Sequence, residues 1–218
     1  PAETGLFHTA FRFPDRGALG DALARAEDRW RLTGASDHLV SEALYLDDPE
    51  GNGVELYRDR PKSAWTVDDD GRIEMDTLPL DRGPIRDAAH GADRAHPNTT
   101  VGHVHLEVSD AVEARDFYLD DVGLGLKTTY GEPAVFMAAG EYHHHVGANT
   151  WNRRIAWARG KGISWFEGVV RGGSAVDAVR SRAVDRGVSV EALDGGIELS
   201  DPDGIAVRVR AGASPTGA

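Results

Sequence analysis

Hydrophobic and polar positions alternate with a period of two in several short runs, and each run is joined to stretches of helical spacing. Residues 5–14 read GLFHTAFRFP, placing Phe7, Thr9, Phe11 and Phe13 on one face and Leu6, His8, Ala10 and Arg12 on the other. From about Arg16 to Trp30, apolar residues at Leu19, Ala22, Leu23, Ala26 and Trp30 follow a helix. The runs EALYL and GVELY flank Asp48, Pro49, Gly51, Asn52 and Gly53, so they fold back as a hairpin. Alternation then sets Leu44, Leu46, Val54 and Leu56 on one face and Tyr45, Glu55 and Tyr57 on the other.

The pattern recurs. VGHVHLEV (101–108) starts a second unit, with a helix from a capping-box-like Asp110 and Glu113 to a stop near Gly123, and strands in GLKTTY, AVFMAAG and YHHHVGANT. A third runs from GISWFEGVV (162–170) through a helix near Ser174–Arg186 to IELSDPDGIAVRV, whose Asp201, Pro202, Asp203 and Gly204 echo Asp48, Pro49, Glu50 and Gly51. Such self-similarity marks a duplicated module. The expected division is a single module over 1–62, a connector over 63–98 with a short helix around Pro84–Ala89, and a two-module domain over 99–218. The second and third units are expected to pair, leaving the first to find a partner upstream or in a second chain.

Composition narrows the chemistry. The 218 residues are long enough to bury a sizeable core, and no apolar run could span a bilayer. The net charge of −12 disfavours nucleic acid and anionic membrane as partners. With no cysteine, any metal must be held by histidine and carboxylate, which points to a cytoplasmic setting. Acidity dominated by aspartate, with only three lysines, suggests a halophilic source. The chain begins at Pro1 and enters a strand almost at once, which suggests a further segment upstream.

The stretch HLVSEALYLDDPEGNGVE, residues 38–55, together with a histidine on a first strand and a glutamate on a last one, resembles the vicinal oxygen chelate superfamily. That superfamily includes glyoxalase I, bleomycin-resistance proteins and extradiol ring-cleaving dioxygenases. The stretch is similar to the extradiol signature: a His, five to seven residues, an aliphatic-Tyr pair, an acidic residue and Pro, Gly, then Glu. Only Ser36, at its opening position, departs from it. The resemblance implies an α+β fold of repeated β-α-β-β-β modules, as in glyoxalase, and a non-haem Fe(II) or Mn(II) centre that cleaves a catechol or hydroquinone with O2. It implies His8 and Glu55 as metal ligands and His38 and Tyr45 as catalytic groups. A lone strand histidine is otherwise a buried polar residue, and a lone strand glutamate a solvated one.

The third ligand is expected from outside the chain, from an upstream module or from a second copy in a homo-oligomer. His103 and His144 are assigned to a secondary, vestigial cavity, because the matching positions of the third unit are Trp165 and Arg208. The expected partner is a small aromatic substrate. Two other functions suit the same scaffold: a glyoxalase I-like lyase or isomerase, and a metal-free binder of aromatic ligands.

Overall fold

The computed structural model describes residues 3–157 and 162–212. Contacts divide the chain into two units, Leu6–His105 with His143–Gly147, and Pro1–Gly5 with Leu106–Tyr142 and Ala148–Ala218.

The first unit opens with β1 (Gly5–Arg12) and α1 (Arg16–Arg29). Asp15 caps the helix by accepting from the Ala18 amide at 2.8 Å. Three strands follow, β2 (Gly34–Asp37), β3 (Ser41–Asp47) and β4 (Gly53–Asp59). The β3–β4 hairpin forms in the expected register, with Leu44 opposite Leu56 and Tyr45 opposite Glu55. Its turn is held by Asp48, whose Oδ1 accepts from the amides of Glu50 and Asn52 at 2.8 Å each, while Gly51 takes φ 86°. Beyond it come β5 (Leu78–Pro79) and α2 (Gly83–Asp87). Buried Asp21 fixes this connector to α1 by accepting from the amides of His90 and Gly91.

The unit's sheet runs β5-β2-β3-β4-β1, then takes in the start of β6 (Thr100–Glu107). Its helix-covered face packs Phe13, Leu19, Leu23, Leu44 and Ile85, each worth roughly 1.5–3 kcal/mol of apolar burial. The opposite face carries the small residues Ala10 and Ala43 beside Tyr57.

In the second unit, β6 leads to α3 (Ala111–Asp116) and a wider turn of helix to Val122, closed by Gly123 at φ 89°. Strands β7 (Gly125–Thr129), β8 (Ala134–Ala138) and β9 (Val146–Asn149) follow. The last repeat holds β10 (Trp165–Arg171), α4 (Gly173–Asp185), β11 (Val190–Leu193), β12 (Gly196–Ser200) and β13 (Ala206–Gly212). These last four strands form a separate sheet in the order β10-β13-β12-β11.

An α+β architecture of repeated modules is therefore present. The pairing differs from expectation. β6 lies next to β1, and β9 next to β6, so strands of the second repeat continue the first module's sheet within this chain, where a partner outside it was anticipated. Local periodicity defines strands but carries no information on which distant strand a free edge will meet. Among the described residues no helix is long and apolar enough to cross a membrane.

Candidate metal centre

Three adjacent strands, β4, β1 and β6, converge their polar residues on one point. Parallel pairing of β1 with β4 sets His8 opposite Gly53 and Ala10 opposite Glu55. A Cβ at Gly53 would lie 2.9 Å from that of His8 and collide with the Phe7 carbonyl, so the close approach under His8 requires glycine. Gly102 plays a similar part on β6, where a side chain would overlap the Tyr57 phenol.

Glu55 Oε2 lies 3.0 Å from His8 Nε2 and 3.3 Å from His103 Nε2. One ligand atom from each of the three residues falls within 4.8 Å of the others. Their exposures are 6% for His8, 3% for Glu55 and 3% for His103. Two imidazoles and one carboxylate on a single side, taken out of water, form the donor set of a divalent ion in a 2-His-1-carboxylate arrangement.

Two features test the fit. His8 Nε2 is buried and close enough to Glu55 for a hydrogen bond, yet its direction makes none. A nitrogen aimed past the carboxylate suits an ion that all three donors share. The second is protonation. Burial pushes the His103 pKa down to about 4, against the pull of Glu55, so the ring is neutral at pH 7. Burial also opposes charge on Glu55, but His103 and His8 outweigh it and hold the carboxyl well below its usual range. His103 and Glu55 are thus in the forms that bind a metal ion without first releasing protons.

A shell surrounds these donors. The His105 ring packs edge-on against His8 at 4.9 Å, and burial drives its pKa well down. Tyr45 comes from β3, opposite Glu55; burial and then Glu55 push its pKa well up, so the phenol stays protonated. His38, in the turn after β2, places Nε2 2.6 Å from the Tyr45 hydroxyl and Nδ1 2.7 Å from the Asp76 carbonyl. A carbonyl only accepts, so Nδ1 carries a proton, and in the neutral ring Nε2 is left as the acceptor for the Tyr45 hydroxyl. Nearby, Glu42 is gripped by Arg16 at 2.6 Å and Arg58 at 2.7 Å, tying β3 and β4 to the start of α1.

The expected residues His8, Glu55, His38 and Tyr45 therefore meet. Two expectations need correction. A third candidate donor, His103, stands within this chain on the neighbouring strand, where one was expected from outside, and it lies 3.3 Å from Glu55, where a separate cavity was expected. His144 stands with it, ring centroids 4.0 Å apart. The recurrence of a first-strand histidine at 8 and 103 was the signal available. At the matching positions of the third repeat the Arg208 guanidinium lies over the Trp165 ring at 4.1 Å.

No family model matches the sequence. A catechol-2,3-dioxygenase of Bacillus subtilis (strain 168) is 41% identical over 205 residues, covering 91% of this chain and 72% of the relative. A biphenyl-2,3-diol 1,2-dioxygenase of Rhodococcus globerulus is 43% identical over 60 residues, 27% of this chain and 32% of that protein. A solved structure of a proposed dioxygenase from Bacillus subtilis superposes with TM-score 0.61 at 12% identity, covering 98% of this chain. The chain spans 63% of that structure's length.

Proposed function

This chain belongs to the vicinal oxygen chelate superfamily, in the family of catechol-2,3-dioxygenase, and on that premise we propose that it cleaves a catechol or hydroquinone ring beside its hydroxyls with O2. The observation that carries the reading is the buried cluster of His8, Glu55 and His103. These three would hold Fe(II) or Mn(II). When bound, the ion supplies coordination positions for both substrate oxygens and for dioxygen.

The chain's own groups manage the proton. Binding a catechol through both oxygens requires one to be taken off and later returned. Tyr45 has one hydroxyl proton and two acceptors, His38 Nε2 and Glu55. Turned towards His38, it occupies that nitrogen. Turned towards Glu55 or a bound phenolate, it frees His38 Nε2 to accept the substrate's proton. Asp76 holds the ring in the required tautomer through its carbonyl. Buried walls exclude bulk water from the donors and keep these exchanges local.

Catechol added aerobically to the metal-loaded protein should give a yellow ring-cleavage product with oxygen uptake. A colourless mixture with no uptake, using protein carrying stoichiometric Fe(II) or Mn(II), would rule this reading out.

A further inference from the structure

We propose that a cavity between α1 and the sheet of the first unit binds a one-ring aromatic carboxylate, its ring against an apolar wall and its carboxylate on Arg25. The cavity encloses about 360 Å³ and is lined by Phe11, Phe13, Leu46 and Leu56 on the sheet side and by Ala26 and Trp30 on the helix side. Pockets for small molecules start at roughly 300 Å³, so one ring with a polar group fits. Leu46 and Leu56 alternate with Tyr45 and Glu55 along their strands, so the sheet itself separates this cavity from the metal centre.

Trp30 supplies a prepared surface. It remains 50% exposed, while its Nε1 donates to the Asp47 carbonyl at 2.7 Å and fixes the ring at the edge of the cavity. A flat ring laid there gains apolar burial and ring contact without having to order the indole first.

Arg25 sets the charge of the ligand. It lines the cavity, and its Nη1 donates to the Ala92 carbonyl at 2.6 Å, which anchors the guanidinium. Among the described residues no carboxylate pairs with it, whereas Arg16 and Arg29 on the same helix, and Arg82 and Arg86 beside it, each have an acidic partner. A carbonyl takes one N–H and leaves the positive charge unmatched. The remaining donors suit a planar carboxylate held through its two oxygens. A neutral phenol such as catechol would occupy the wall and leave that charge alone, so the cavity prefers an acid. It does so whatever the metal centre does.

The Trp30 indole N–H resonance of the 15N-labelled full chain, identified by its absence from Trp30→Phe, reads the binding. Benzoate should move it saturably. Benzyl alcohol, of similar size and uncharged, should bind about tenfold or more weaker. Arg25→Gln should weaken benzoate by a like factor and leave the alcohol as it was, with Arg25→Lys in between. No saturable movement at millimolar benzoate, equal affinity for acid and alcohol, or an Arg25→Gln chain that binds benzoate as well as the wild type would overturn the proposal. If Arg25→Gln does not fold, the acid and the alcohol on the wild type decide alone.

Discussion

The first and third repeats place the same backbone positions in the same register and put opposite chemistry on them. In the first, β1 runs parallel to β4 with Ala10 opposite Glu55, two residues after His8, and Tyr45 faces Glu55 across the hairpin. In the third, β10 runs parallel to β13 with Glu167 opposite Arg208, two residues after Trp165, and Glu198 faces Arg208. His8, Glu55 and Tyr45 thus correspond to Trp165, Arg208 and Glu198. One set leaves a buried nitrogen that no hydrogen bond satisfies. The other satisfies itself, with Arg208 over Trp165 and its Nε donating to Glu198 at 2.6 Å. The module supplies a frame, and the side chains at these positions decide whether it offers donors towards a shared point or closes on itself.

Removing the carboxylate breaks the contrast most severely. Glu55→Gln should lose metal by well over the roughly 10–100-fold typical of outer-shell changes, as read by metal titration. Tyr45→Phe keeps the donors and removes a hydroxyl that the third repeat lacks. It should lower kcat about 100-fold or more while leaving metal content unchanged.

Acid should distinguish the repeats next. The His103 pKa is about 4 when folded against 6.5 for the free side chain. Between those values the unfolded chain binds the extra proton, so stability is complete above about pH 6.5 and falls as the pH drops towards 4. At about 1.4 kcal/mol per unit, the loss reaches roughly 3 kcal/mol, measurable as a falling denaturation midpoint of the metal-free protein. His103→Asn should make that slope shallower, leaving the part that buried His105 and His144 contribute with the same sign. The smallest effect belongs to Trp165→Ala, where losing an exposed cation–π contact should cost about 0.5–1 kcal/mol with metal binding untouched.

Local pattern carried much of this into the sequence. The turn residues 48–53 fixed the hairpin and its faces, and with them the side on which Tyr45 and Glu55 lie. Trp165 and Arg208 were recognisable as non-ligands by position. Long-range pairing was not legible, since nothing in β1 or β6 names the other strand as its neighbour. That gap hid the meeting of His103 with His8 and Glu55 and made the site look one ligand short. Short β2 and β11 escaped notice because four residues give too little alternation to register. The cavity beside Arg25 needed coordinates, as its guanidinium is anchored by a carbonyl 67 residues away.

Metal content of anaerobically purified protein, wild type beside His103→Ala, tests the centre most directly. The three-strand site predicts one tightly held divalent ion per wild-type chain and its loss from a variant that remains folded. Wild-type protein that takes up no ion when offered Fe(II) or Mn(II), or a His103→Ala chain that holds it equally well, would contradict it.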